Sequence, residues 1–287
     1  MTSRTGRRSR PFDRLTRRSF LAAAGSFAAA PVLAQSGPGF GPEAFVAPAG
    51  DGDGRTVDSP APLTALGELA ATVGAGGTVY LLANRGRYQD WETVEIGAGG
   101  AEGAPVTIRG VNTRLQPRNA VFQGDRRRWR RPRNESRASD ASEFGGSILF
   151  RFRDGSSHLR FQNISAVDVG RFFDFGGAEE TGITLEDVDF TNVRDGFFTD
   201  EDSVLSNVVL RRFSGVGFSK KGIRVHGGCQ NWEIEDCELD SGWQFGDNFA
   251  VGIELNHTAH NIVIRGGYTI NCLDKQDGDE EAYWNGD

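Results

Sequence analysis

The chain has 287 residues, of which 38% are hydrophobic and 25% are charged, so it can bury a sizeable core and is not a wholly disordered protein. Its net charge of −7 argues against a general nucleic-acid binder, because such proteins are usually basic. Three cysteines are too few for a disulfide framework, and 39 glycines without a collagen period indicate many tight turns between short strands.

Residues 1–34 differ from the rest of the chain and have the layout of a secretory signal. Seven arginines lie in this segment, and the apolar run at 20–34 is shorter than the roughly 20 residues of a membrane span. The motif TRRSFL at 16–21 resembles the twin-arginine export signal of bacteria. We therefore expect recognition by the twin-arginine export machinery, cleavage after Ala34, a periplasmic or secreted location, and no membrane span afterwards. An exposed basic tail is the alternative.

The next segments predict a linker, one helix and the first strands. Residues 35–54 form a Gly- and Pro-containing linker with a first extended segment, and residues 62–73 place apolar side chains at helical spacing. Gly74 and the following glycines end this helix, and alternating runs at 77–82 and 104–110 predict strands. The helical stripe consists of Leu63, Leu66, Leu69 or Ala70, and Val73.

A repeat of about 24 residues dominates the rest of the sequence. Short runs beginning at 158, 182, 207, 231 and 261 each have apolar residues at the second and fourth places. Such alternation directs one side of every strand into a common core. Three of the runs begin with asparagine, which tolerates a positive φ and so indicates a sharp turn. These asparagines are Asn207, Asn231 and Asn261.

A second strand recurs in each repeat and gives the predicted fold. Aligning Gly196, Gly222 and Gly252 places Phe197, Ile223 and Ile253 in one inward column, with Phe173 joining it. Repeats that cannot bury their own apolar face must stack, which is typical of a solenoid. We predict an all-β, right-handed parallel β-helix over 55–287, with the helix at 62–73 covering its open end, and we expect the C-terminus to be incomplete. A β-propeller is less favoured, because its blades need about 40 residues.

The same register predicts an outward row of polar and aromatic side chains on the second strands. Neighbouring turns lie about 4.8 Å apart, so the row would form a groove for a polymer. An ordinary solvated face is the alternative. The predicted outward positions are Asp174, Phe198, Arg224 and Glu254, followed by Gly176, Asp200, His226 and Asn256.

Two further groups of charged residues suggest ligands. Asp195 and Lys221 occupy the place before the aligned glycines, and Asp287 would occupy it on a later turn, so carboxylates there could share Ca²⁺. The arginine-rich stretch at 126–133 includes Trp129 and Arg130 and could bind an anionic polysaccharide through guanidinium groups and stacking. Nucleic acid is a less relevant ligand for an exported protein. A solvated loop that binds no ligand is the alternative interpretation. The three cysteines are expected to be buried core residues.

The sequence resembles the bacterial right-handed parallel β-helix proteins related to polysaccharide lyases of the pectate, alginate and chondroitin type. The resemblance rests on FVAPAGDGDG at 45–54, GTVYLLANRGRY at 77–88, GAPVTIRG at 103–110 and the repeats. It implies removal of the proton α to a uronate carboxylate by a lysine or arginine, while Ca²⁺ or basic side chains neutralise that carboxylate. Such lyases hold further aspartates and their base on later turns, which this chain lacks if its C-terminus is incomplete as expected.

The resemblance implies roles for individual residues. Asp195 and Asp287 resemble the aspartates of a calcium-binding turn, and Lys221 and Arg224 are the candidate bases, with His226 as a third catalytic candidate. We therefore expect a monomeric, exported lyase that cleaves an acidic polysaccharide by β-elimination. A noncatalytic carbohydrate-binding or adhesion solenoid, or a hydrolase using Asp174, Asp200 and Glu254, are the alternatives. Expected substrate contacts are Asp174, Phe198, Asp200, Glu254, Asn256, Trp129 and Arg130.

Overall fold

The computed structural model describes residues 42–89, 91–124, 148–241, 250–256, 258–275 and 282–284. These residues form a right-handed parallel β-helix of about six coils, as the repeat predicts. Two parallel sheets run along the solenoid, and an antiparallel hairpin follows them. No helix within the described ranges is both long and apolar enough to span a bilayer.

The strands are numbered in chain order. The larger sheet consists of β1 (Glu43–Val46), β2 (Thr78–Leu82), β4 (Val106–Val111), β5 (Ala120–Gln123), β7 (Leu159–Val167), β9 (Glu179–Thr181), β10 (Thr184–Thr191), β12 (Val204–Val216), β14 (Gln230–Glu235), β15 (Glu238–Asp240), β17 (His260–Arg265) and β18 (Tyr268–Ile270). The smaller sheet consists of β3 (Val94–Ile96), β6 (Ile148–Phe152), β8 (Arg171–Asp174), β11 (Asp195–Phe198), β13 (Lys221–Val225) and β16 (Val251–Leu255). The hairpin consists of β19 (Leu273–Lys275) and β20 (Ala282–Trp284).

The inward column of the smaller sheet has the predicted register. Phe173 pairs with Phe197, Phe197 with Ile223, and Ile223 with Ile253. Phe150 extends the column on the N-terminal side, opposite Phe173. Aromatic rings from neighbouring coils contact one another inside the solenoid, so the many phenylalanines form a continuous core.

The asparagine turns are also confirmed. Asn207, Asn231 and Asn261 have φ values of 55°, 58° and 57°, and the side-chain amide of each later residue donates a hydrogen bond to the side-chain oxygen of the one before. The coils contain further left-handed positions that the sequence did not predict. They lie five and ten residues after the left-handed residue that begins the coil. Among them are Asn163 and Asp168, Asp187 and Asn192, and Arg212 and Gly217.

Helix α1 (Leu66–Val73) covers the N-terminal edge of the solenoid. A 3₁₀ turn (Leu63–Ala65) precedes it, so the predicted single helix is two elements. Its apolar stripe is buried against the core, and the helix contacts β3, the edge strand of the smaller sheet. A β-carbon added at Gly67 would lie 2.2 Å from the backbone oxygen of Glu95, which shows how closely the two approach. The helix therefore protects an edge that could otherwise pair with another chain.

Replacing Gly67 with valine should lower the free energy of unfolding by about 1–3 kcal/mol, because the helix must move away from β3 to admit the side chain. Urea denaturation followed by circular dichroism measures the change. Ala71→Val is the matched control, because Ala71 lies on the exposed side of the same helix, and it should change the free energy by less than about 0.5 kcal/mol. Equal effects of the two substitutions would show that the close approach is unimportant.

The three cysteines are buried free thiols, as expected. Burial raises the pKa of each thiol, and that of Cys237 to about 11. Since the thiolate is the reactive form, these cysteines should resist alkylation by iodoacetamide at pH 8 in the native protein and react once the chain is unfolded in urea. Mass spectrometry of the labelled protein measures this. Rapid labelling of the native chain would contradict the burial of these thiols.

Candidate functional site

The outward row predicted from the sequence is present on the smaller sheet. Asp174 pairs with Phe198, and Arg224 pairs with Glu254 on the next two strands. The row extends further toward the N-terminus than the sequence analysis expected, because Arg151 pairs with both Asp174 and Glu95. The outward row on the smaller sheet therefore contains charged side chains of both signs, with Asp174 and Phe198 only 5% exposed.

Three basic side chains converge on Glu254. Lys221 Nζ lies 3.1 Å from Glu254 Oε1, while Arg224 Nε and His226 Nε2 lie 3.4 and 3.2 Å from Oε2. The Lys221 and His226 side chains are only 6% and 4% exposed, against 19% for Arg224 and 26% for Glu254. All three residues predicted to be catalytic thus surround a single carboxylate that the sequence analysis placed among the substrate contacts.

His226 is held from several sides. Its Nδ1 lies 2.9 Å from Arg224 Nη2, and since a guanidinium can only donate, Nδ1 accepts this hydrogen bond. The ring proton of the neutral form is then on Nε2, which faces Glu254. The backbone N–H of His226 donates to Thr199 Oγ1 at 2.7 Å, and Cys229 Sγ donates to the backbone oxygen of His226. These contacts position the ring as a support for Arg224 and Glu254.

Two guanidinium groups lie over the ring of Phe198. The Arg171 Cζ is 3.5 Å from the centre of the ring, and the Arg224 Cζ is 4.9 Å from it. Both distances suit cation–π interactions, and only 5% of Phe198 is exposed. In this arrangement Phe198 orders two arginines, and its ring is covered where a sugar would have to stack.

Asp195 is fully buried and paired with arginines. Its Oδ2 lies 2.5 Å from Arg194 Nη1 and 3.4 Å from Arg171 Nε. A calcium ligand must instead share its oxygens with several others around the ion, and the described ranges contain no cluster of three His, Cys, Asp or Glu side chains that could hold a metal. With these two arginine contacts, Asp195 does not fit a calcium site. Asp287 lies outside the described residues, so its part in a calcium site stays a prediction.

Asp174 and Asp200 have partners within the solenoid. Asp174 lies within 3.8 Å of Arg151 and 3.5 Å of Arg171, and it accepts a hydrogen bond from the Gly176 N–H. Asp200 Oδ1 accepts hydrogen bonds from two backbone N–H groups and one hydroxyl, at distances of 2.9–3.2 Å. Both carboxylates therefore stabilise turns and arginines. The donors to Asp200 are Gly177 N, Asp202 N and Ser203 Oγ.

The remaining predicted residues fall into two groups. Asn256 is exposed beyond the end of β16, and its backbone N–H donates to the Val225 oxygen. Trp129 and Arg130 lie outside the described residues, so their proposed contact with a polysaccharide stays a prediction.

Arg171 and Arg194 are the site residues that sequence reasoning missed. Arg171 occupies the same place in its coil as Asp195 and Lys221, so extending the aligned column by one repeat would have found it. Arg194 lies one residue before that column, where strand alternation gave no reason to expect a buried side chain paired with Asp195.

No protein-family model matches the chain, and no curated protein sequence matches it. Similar solved structures include a Parabacteroides merdae protein provisionally assigned as a glycosyl hydrolase (13% identity, TM-score 0.39), for which 68% of this chain and 81% of that chain are covered. Pectate lyase Pel9A has 17% identity and a TM-score of 0.39, covering 69% and 54%, and a rhamnogalacturonan lyase has 14% and 0.38, covering 81% and 64%. This chain thus spans less than two thirds of either lyase, and similarity at this level carries no argument about activity.

Proposed function

We propose that this chain is an exported protein that acts on an acidic, uronate-containing polysaccharide and cleaves it by β-elimination. The observation that supports the proposal is the convergence of Lys221, Arg224 and His226 on the Glu254 carboxylate, in an outward row that runs along the solenoid. A set of basic side chains that holds one carboxylate has the chemistry to hold a uronate carboxylate. Repetition of the row from coil to coil suits a polymer.

The proposed reaction assigns a separate role to each basic residue. Arg224, the most exposed of the three, neutralises the uronate carboxylate, so that charge developing at the α-carbon is stabilised. Lys221 Nζ, once deprotonated, removes the α-proton. The electron pair forms a carbon–carbon double bond as the bond to the β-oxygen breaks. The leaving oxygen takes a proton from water, and the hydroxide that remains takes the proton from Lys221. His226 is a positioning residue that supports Arg224 through Nδ1.

Incubation with polygalacturonate, alginate and chondroitin sulfate tests this function. β-Elimination yields an unsaturated sugar that absorbs ultraviolet light, so absorbance should rise with one of the three polymers. The full chain, supplied with calcium, should be used. No absorbance on any of them would overturn the lyase proposal, and saturated products with new reducing ends would indicate hydrolysis instead.

Binding without cleavage is a second candidate, because a base that is only 6% exposed has limited access to a substrate. This candidate predicts that polygalacturonate in a gel retards the migration of the protein, and that no new chain ends form in the polymer. A hydrolase is less favoured, since Asp174 and Asp200 are held by arginines and by turn hydrogen bonds.

No step of the proposed reaction uses calcium, because Asp195 is paired with two arginines. We therefore expect chelation with EDTA to change the elimination rate by less than about twofold, since the neutralising charge comes from Arg224. The same preparation with added calcium serves as the control. Loss of activity on chelation and its recovery with calcium would contradict this expectation and would support the calcium site predicted from the sequence.

A further inference from the structure

Glu254 covers the basic residues that it contacts. Both of its carboxylate oxygens face Lys221, Arg224 and His226, at distances of 3.1–3.4 Å. Since Lys221 and His226 are almost completely buried while Glu254 is a quarter exposed, Glu254 lies between these basic side chains and solvent.

An anion arriving from solvent therefore meets a negative charge before it reaches Lys221. If Glu254 stays in place, two carboxylates would have to lie close together in a partly buried site, which is unfavourable. If Glu254 swings out, the incoming carboxylate takes over the same partners, with Arg224 supplying the neutralising charge. A glutamate side chain has enough rotatable bonds to make that movement.

We propose that Lys221, Arg224 and His226 form a carboxylate-binding site whose resident occupant is the Glu254 side chain, and that a ligand carboxylate binds by displacing it. The inference rests on the proposed function for the class of ligand, a uronate. It adds that the Glu254 carboxylate, which has the same chemistry as the carboxylate of the ligand, occupies the site when no ligand is bound.

Glu254→Gln tests the competition, because glutamine keeps the shape of the side chain and removes its charge. The probe is trigalacturonate, with affinity measured by isothermal titration calorimetry, and a neutral galactose trimer gives the background. We expect the variant to bind trigalacturonate at least tenfold more tightly than the native chain, equivalent to about 1.4 kcal/mol. Unchanged or weaker binding would overturn the proposal.

A matched control separates this effect from a general change in charge. Glu233 is an exposed glutamate on β14 of the larger sheet, and Glu233→Gln removes the same charge away from the cluster. Its affinity for trigalacturonate should stay within about twofold of the native value. An equal gain in both variants would show that net charge alone is responsible and would overturn the proposal.

Glu254→Asp provides a second variant should the glutamine variant fail to fold. The shorter side chain keeps the charge but draws the carboxylate back from Lys221, so affinity should rise by a smaller factor. Unchanged affinity in a folded aspartate variant would count against displacement. Calorimetry measures binding without cleavage, so the two proposals can fail separately. If Glu254→Gln binds more tightly but the native chain shows no lyase activity, only the lyase proposal is rejected. If the native chain is active but Glu254→Gln binds no more tightly, only the displacement proposal is rejected.

Discussion

Lys221→Met should reduce the rate of β-elimination by at least about 100-fold, because a positioned base contributes roughly 10²–10⁴ to such a reaction. Methionine has a similar length, so it can occupy the buried space that Lys221 fills next to Glu254. The rate is measured from the ultraviolet absorbance of the product over a range of polygalacturonate concentrations, which gives kcat and KM separately. A loss confined to kcat would agree with a role in proton removal, whereas a loss confined to KM would indicate a binding role.

The neighbouring lysine provides the matched control for this substitution. Lys220→Met removes the same charge one residue earlier and should leave the rate within about threefold of the native value. Circular dichroism of both variants checks that the solenoid remains folded. If Lys221→Met were as active as the native chain, Lys221 would not be the base, and Arg224 would become the candidate to test next.

Phe197→Ala should lower the free energy of unfolding by about 3–5 kcal/mol, which is typical for removal of a fully buried phenylalanine. The ring lies in the middle of the inward column, 5.0 Å from the ring of Phe175 and 5.3 Å from that of Trp232. Alanine would leave a cavity inside one coil, and coils of a solenoid depend on their immediate neighbours. Urea denaturation, followed by both circular dichroism and tryptophan fluorescence, measures the loss.

An exposed aromatic on the same solenoid is the control for this prediction. Tyr268 is about half exposed on β18, so Tyr268→Ala should cost less than about 1 kcal/mol. The two probes of unfolding should agree if the coils unfold together, and separate transitions would show local unfolding around the cavity. A loss below about 1 kcal/mol for Phe197→Ala would contradict its place in the core.

The sequence was sufficient to predict the coils because their signals repeat. Asn207, Asn231 and Asn261 occur where the backbone needs a positive φ, and the Phe197 column recurs once in each coil. Not every additional turn has a residue type that is typical of left-handed geometry. Arg212, with a φ of 51°, is an example, since arginine rarely adopts left-handed geometry.

The candidate site was predictable as a row but not as a set of contacts. Strand alternation places Arg224 and Glu254 on one face, and the register follows from the repeat. Which cation meets which carboxylate depends on side-chain conformations and burial, and several pairings are compatible with the same register. The covering of Phe198 by Arg171 and the pairing of Asp195 with Arg194 are therefore visible only in the structure.

The length of the outward row depends on the number of coils in the solenoid. Each coil of the smaller sheet contributes one residue to the row, and the left-handed corners let one coil follow another in nearly the same shape. Gain or loss of a whole coil would lengthen or shorten the row by about 4.8 Å without altering the others. The number of sugar units that such a surface can span is then set by a count of repeats, and duplication of one repeat changes it in a single step.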